Sequence, residues 1–234
     1  MKKHLTILLM LSFSIVFIGG LQGAVTLPVT DNFPSTGPEL SWADYDSPYS
    51  AVEAFSPTAP SGDGYVMNVN DVSGWQRVHL TDDDGTLGDY TITAWIYVTA
   101  NEANWGRFGI FARATTIAYD AGCYYLFCDS DGDDYLRCGY YTDGTATWTQ
   151  FIDPPGSITR NAWHKFELGF LGSEIVAKVD DVEVWAGSDT TYTTGYFGII
   201  CWQNSTSAPV TYCDRITITP NVPTKVSGSW SLYE

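Results

Sequence analysis

The stretch from Trp163 to Ile218 restricts the fold more than any other part of the chain. His164, Phe166, Leu168 and Phe170 alternate with Lys165, Glu167 and Gly169; after Gly172–Ser173, Ile175, Ala177 and Val179 alternate with Glu174, Val176 and Lys178. Successive side chains of a strand point to opposite faces, so period-two hydrophobicity broken by turn residues predicts antiparallel strands with one buried face. The pattern recurs between Asp89 and Val98. There Ile92, Ala94, Ile96 and Val98 form one face, and Thr91, Thr93, Trp95 and Tyr97 form the other. In residues 105–114, Ile110 and Ala112 point inward while Trp105, Arg107, Phe111 and Arg113 point outward. These faces are assigned by polarity, and a slip of one residue would reverse them.

Further strand-like runs lie at Val29–Phe33, Ala51–Phe55, Tyr65–Asn70, Trp75–Leu80, and in GCYYLFC, DYLRCGYY and TWTQFI. Turn material separates them, and Asp143–Gly144 between apolar runs is a hairpin signal. Residues 34–50 are rich in Pro, Ser and Gly and read as a loop anchored by Trp42 and Tyr45. No segment keeps helical periodicity over three turns. Around a dozen short, evenly spaced strands predict an all-β, two-sheet antiparallel sandwich. One domain is expected over residues 24–219, with residues 220–234 a polar linker or truncated tail.

Lys2 and Lys3 precede an apolar run from Leu5 to Ile18, followed by Gly19, Gly20 and Gly23. This is the layout of a signal peptide over residues 1–23, and it predicts a secreted or cell-surface protein. The run is short for a membrane span. The net charge is −16; without the two leader lysines, 9 basic residues face 27 acidic ones. So acidic a chain does not suit a phosphate backbone, which needs clustered Lys and Arg, so nucleic acid is excluded as a partner. Calcium and neutral polysaccharide fit better. Cys123, Cys128, Cys138, Cys201 and Cys213 are an odd set, which leaves at least one thiol unpaired. Cys201 with Cys213, and Cys128 with Cys138, are the plausible disulfides, and five buried small apolar residues are the alternative. The lack of Cys-x-x-Cys or a His cluster argues against zinc.

Several ordered motifs carry a resemblance. Gly109-Ile110-Phe111-Ala112-Arg113 is followed by Tyr124-Tyr125-Leu126, Trp163–Phe166, Leu171–Ile175, Thr191-Tyr192 with Gly195, Gly198 and Ile199, and finally Tyr212, Asp214 and Ile216. In this order they resemble the laminin-G-like, concanavalin A-like jelly-roll superfamily of lectins and glucanases, over about Val29 to Thr219. The resemblance implies a jelly-roll sandwich. It leaves open glycan binding, adhesion, glycoside hydrolysis or polysaccharide lysis, because one scaffold hosts all of them. Related modules hold a structural calcium with an acidic pair from the first and last strands, here Asp31 and Asp214, completed by backbone carbonyls.

Glycoside hydrolysis needs two carboxylates about 5–10 Å apart. The Glu-x-Asp-x-x-Glu strand of the jelly-roll glucanases is missing, and Glu167, Glu174 and Glu183 read as solvated. A lyase would draw on Gln76, Arg77, His79 and Tyr97, but Gln76 lies in the opposite phase to Arg77 and His79. His164 reads as a hydrogen-bonded core histidine. Asp129, Asp131 and Asp133 have calcium-loop spacing, yet Asp134 stands where an EF-hand needs Gly, so a solvated acidic turn is expected. Asn204-Ser205-Thr206 is a glycosylation sequon. Aromatic residues make up 15% of the chain, more than a sandwich core requires. Flat rings stack on sugars and guanidinium groups bind hydroxyls or carboxylates. Trp95, Tyr97, Phe111, Arg113 and Tyr125 are therefore the expected ligand residues of a non-catalytic, lectin-like glycan-binding module, part of a larger exported protein. The alternatives are an adhesion or spacer domain that binds protein partners, and a polysaccharide-degrading enzyme.

Overall fold

A computed structural model describes residues 25–36, 38–44, 52–54, 59–69, 74–81, 83–98, 106–118, 120–129, 135–144, 147–152, 156–203 and 211–221. The leader segment, Tyr45, Asp131 to Asp134, the sequon at Asn204 and the tail after residue 221 lie outside these. Among the described residues there are sixteen strands and no helix. They are β1 (Val29–Asp31), β2 (Trp42–Asp44), β3 (Val52–Ala54), β4 (Tyr65–Val69), β5 (Gly74–Leu80), β6 (Tyr90–Val98), β7 (Gly106–Ala114) and β8 (Cys123–Asp129). There follow β9 (Tyr135–Tyr141), β10 (Trp148–Gln150), β11 (Gly156–Ser157), β12 (Ala162–Leu171), β13 (Glu174–Val179), β14 (Val182–Ser188), β15 (Tyr196–Gln203) and β16 (Thr211–Pro220).

Two antiparallel sheets result. Sheet A runs β14-β13-β12-β6-β16-β4-β3, with β1 also on β16; sheet B runs β10-β9-β8-β7-β15-β5-β2, with β11 on β9. The alternating phases dictate how they meet. Ile92, Ala94 and Ile96 of β6 and Phe166, Leu168 and Phe170 of β12 face Phe108 and Ile110 of β7, Leu126 of β8 and Ile199 of β15 in one core. Each Ile, Leu or Phe among them contributes about 1.5–3 kcal/mol by leaving water. Burial along β13 alternates strictly, as its sequence requires.

The hairpin between β13 and β14 turns at Asp180 and Asp181, with φ of 52° and 66°. Two consecutive positive φ values in a two-residue loop define a type I′ turn, which aspartate tolerates through its short polar side chain. Asp180 also serves His164. The ring Nδ1 lies 2.7 Å from Asp180 Oδ2 and Nε2 lies 2.7 Å from the Thr159 carbonyl oxygen. His164 is thus the inward, hydrogen-bonded histidine its phase implies.

Two expectations differ. The presumed loop of residues 34–50 contains β2, which pairs Trp42 with Leu80. Trp42 packs in the core and donates its indole N–H to Asp31 at 2.8 Å, so one buried ring converts a turn-rich segment into a strand. The cysteines are not bridged: all five are buried thiols. Cys201 and Cys213 lie in different sheets, and the β8–β9 register sets Cys128 against Leu136 and Cys138 against Leu126. Four of the five, all but Cys123, face the main core as small apolar residues. Burial pushes the thiols of Cys123, Cys138 and Cys213 up, away from the reactive thiolate form.

Candidate functional site

The face of sheet B turned away from the main core carries an unusual side-chain set. The register aligns Trp202, Arg107, Asp129 and Tyr135 in one row across β15, β7, β8 and β9. The next row holds Arg77, Ile200, Gly109, Phe127 and Arg137. A third holds His79, Gly198, Phe111, Tyr125, Gly139 and Gln150. Phe111, Tyr125, Phe127, Tyr141 and Ile200 form a second apolar cluster, with Trp148 and Tyr196 against it.

At one end of this face a single carboxylate stands between two guanidinium groups. Asp129 Oδ2 lies 2.9 Å from Arg137 Nε and 3.3 Å from Arg107 Nε. Asp129 is buried, whereas the Arg107 and Arg137 side chains keep 24% and 17% of their surface in solvent. Both cations lie over Trp148, at 4.9 Å and 4.7 Å from its ring centroid, and Arg107 is also 5.3 Å from the Trp202 ring. Arg137 donates to Gln150 Oε1 at 2.8 Å. Trp148 stacks on Phe127 with planes 2° apart. Guanidinium groups stacked on rings are locked in place, so their remaining donors need little ordering to bind.

Deeper on the same face, Arg77 lies over the Phe111 ring at 5.4 Å and donates to the Ala118 carbonyl at 3.0 Å. Burial lowers the pKa of His79, favouring a neutral ring, and its Nδ1 has no hydrogen-bond partner among the described residues. Burial also pushes the Tyr125 and Tyr141 phenols up. Gly139 stands where a Cβ would meet the Thr149 carbonyl oxygen at 1.9 Å, which lets β10 and its Trp148 approach closely.

The five residues expected to share a ligand surface do not share one. β6 and β7 follow each other in sequence but belong to different sheets, so Trp95 and Tyr97 lie on the outer side of sheet A. Tyr97 is buried against Trp163 and Tyr212 there, with ring centroids 5.4 Å and 6.4 Å away. Phe111 and Tyr125 lie on the outer side of sheet B but are fully buried, so they form its floor. Arg113 belongs to neither surface. Ala112 and Arg113 together stand opposite Phe197, a bulge that gives Arg113 a φ of 49° and turns its side chain off the alternation. Its guanidinium donates to the carbonyls of Gly88, Tyr192 and Gly172 at 2.8–3.0 Å and lies 4.4 Å over Phe170. Arg113 rivets three loops.

Asp129 corrects a further expectation. It is not part of a solvated acidic turn but the last residue of β8, in phase with Tyr125 and Phe127. That phase was visible in the sequence; the pairing with Arg107 and Arg137 required the strand order. Trp148, Trp202 and Arg137 were missed for the same reason. The lyase set is also split, since Arg77 and His79 share sheet B while Tyr97 is on sheet A. Glu167 pairs with Lys178 at 2.8 Å, Glu174 with the Ser188 hydroxyl at 2.8 Å, and Glu183 is exposed, consistent with solvated roles.

The acidic pair expected to hold calcium divides as well. Asp31 is buried and its two oxygens accept four N–H groups, from Phe33, Glu39, Leu40 and Trp42. That carboxylate is fully used. Asp214 is also buried; its Oδ2 accepts the Ser61 N–H at 2.6 Å, but its Oδ1 has no partner among the described residues. Burial raises the Asp214 pKa. An orphan carboxylate oxygen beside a loop fits a hard cation, whereas Asp31 does not. Among the described residues no three His, Cys, Asp or Glu side chains cluster, so any oxygen shell would draw on backbone carbonyls.

The order of strands in two packed sheets decides the fold type when set beside solved structures. The carbohydrate-binding module CBM66 from Bacillus subtilis superposes with a TM-score of 0.57 at 15% identity, over 77% of this chain and 97% of that one. The fold is a concanavalin A-like jelly roll. This jelly roll is also similar to the Bacillus licheniformis β-glucanase, with a TM-score of 0.54 at 14% identity over 85% and 99% of the two chains. It is similar to the cellulose-induced protein Cip1 as well, with a TM-score of 0.57 at 15% identity over 82% and 97%. No family model and no curated protein matches the jelly roll by sequence.

Proposed function

We propose that this chain is an exported, non-catalytic carbohydrate-binding module, with its glycan held on the outer face of sheet B by Trp148, Trp202, Tyr135, Gln150, Arg107 and Arg137. The observation that carries the reading is the fixed, part-exposed ring and guanidinium set around Asp129. Rings supply stacking surface and pre-ordered guanidinium groups supply paired donors for hydroxyls. The similar structures, a carbohydrate-binding module, a glucanase and a cellulose-induced protein, support the same class. Asp129 supports binding rather than hydrolysis. It is the counter-ion of two arginines, which holds its carboxylate engaged rather than free to act as an acid or nucleophile. The leader-like start at Lys2, Lys3 and the apolar run supports export. No helix of the described residues is long and apolar enough to cross a membrane.

Binding to a panel of immobilised polysaccharides tests the reading. Retention of at least one is expected, and it should survive Trp95→Ala because Trp95 is on the other sheet. A panel with nothing retained overturns the proposal. Loss of retention in a folded Trp95→Ala protein moves the site to sheet A.

The same proposal includes a structural calcium on Asp214, with loop carbonyls completing the shell. Calcium would neutralise the buried carboxylate and, by binding only the folded state, stabilise it by about 2.7 kcal/mol at a hundredfold excess over its Kd. A melting temperature raised by calcium, lowered by chelator, and insensitive to both in Asp214→Asn is expected. Equal melting with and without calcium removes the ion from the account.

A further inference from the structure

The segment between β5 and β6, which crosses from sheet B to sheet A, buries an acid that no cation neutralises. Asp83 is 5% exposed. Its Oδ1 accepts the Gly85 N–H at 3.0 Å, and its Oδ2 has no hydrogen-bond partner among the described residues. Between Ala24 and Thr219 the chain carries six arginines and two lysines, Lys165 and Lys178. All of them lie within the described residues, and none pairs with Asp83. The groups that do face it are acidic or neutral. Asp84 is its exposed neighbour, and the Tyr90 phenol of β6 is within reach of its charge. From β15, Phe197 offers a backbone N–H, and the Tyr196 ring lies against Gly85. On β7, Arg113 spends its guanidinium on the carbonyls of Gly88, Tyr192 and Gly172 and lies beside Asp89. A carboxyl buried without a counter-charge favours its neutral form. Burial outweighs the Gly85 and Phe197 N–H groups and pushes Asp83 up to about 6.

The same segment holds other parts of the fold. The Leu87 carbonyl accepts the Gly195 N–H at 3.2 Å, the Gly88 carbonyl accepts Arg113 at 2.8 and 3.0 Å, and Asp89 Oδ1 accepts the Gly172 N–H at 2.7 Å. We propose that Asp83 is a pH-sensitive latch: protonated, it seats the β5–β6 segment against the sandwich, and ionised, it loosens that segment from Arg113 and from the approach to β15. The folded value lies above the ordinary 3.8, so the stabilising contribution is complete below 3.8 and is gone once pH has risen through about 6. The latch therefore holds in mildly acid surroundings and slackens at neutrality. The inference is independent of what the sheet B face binds.

Thermal melts of the full chain at about pH 4.5 and about pH 7, with chelator throughout, test it against Asp83→Asn, whose amide stays neutral at both. The gain in midpoint from Asp83→Asn should be about 5 °C larger at the higher pH. Other carboxylates titrate alike in the two proteins and cancel. An equal gain at both pH values, or a larger one in acid, overturns the latch. Exchange of the Gly195 amide, corrected for its intrinsic pH dependence, should quicken about tenfold over the same interval in the native chain and not in Asp83→Asn. Unchanged Gly195 protection in the native chain also overturns it. If Asp83→Asn does not fold, carboxyl-carbon NMR titration of the native chain decides. An Asp83 inflection near pH 6 supports the latch, and one in the ordinary carboxylate range overturns it.

Discussion

Replacing Arg113 by alanine should destabilise the domain by about 3–5 kcal/mol and lower its unfolding midpoint by about 10 °C or more. The side chain is buried, and its hydrogen bonds to Gly88, Tyr192 and Gly172 tie together the segment before β6, the segment before β15 and the β12–β13 hairpin. Removing it strands three carbonyls and empties the space over Phe170. Each unpaired buried acceptor costs about 1–3 kcal/mol. Arg113→Lys keeps the charge but not the fork that reaches three carbonyls, so it should fall between alanine and the native protein. Circular dichroism melts and urea titration read the effect. A midpoint shift below about 2 °C for Arg113→Ala would remove the rivet from the account.

Trp148→Ala should abolish measurable glycan binding, with affinity falling about thirtyfold or more, as expected for truncation of a central tryptophan. Its ring carries both guanidinium groups and stacks on Phe127 and Tyr141, so the change removes a sugar platform and frees two arginines together. Trp148 is half-buried on an edge strand, so the domain should still fold. Trp148→Phe keeps a ring and should recover part of the affinity. Retention of full affinity by a folded Trp148→Ala protein places the ligand elsewhere.

The alternation in β6, β12 and β13 was enough to read two antiparallel sheets and the buried phase of each strand, because that phase depends only on neighbouring residues. The ligand face depended on strand order instead. β6 and β7 are adjacent in sequence and separate in space, so Trp95 and Phe111 looked like neighbours and are not. The bulge at Arg113 illustrates the same limit, since one extra residue opposite Phe197 reverses a side chain that strict alternation turns outward. Asp129 and Arg137 meet across the β8–β9 hairpin in adjoining rows, which acidic residues in an apparent turn did not disclose. Asp31 was identified as important for the wrong chemistry. It accepts four N–H groups that hold the first turn together.

The pairing of β1 with β16 has a consequence for attachment. Val29 stands opposite Ile218, so the chain enters and leaves the jelly roll side by side, both from sheet A. A tether at either point would hang the domain by its back, with Trp148 and its arginines directed outward from the anchor. Neighbouring modules joined there would leave a long polymer free to lie across the opposite side.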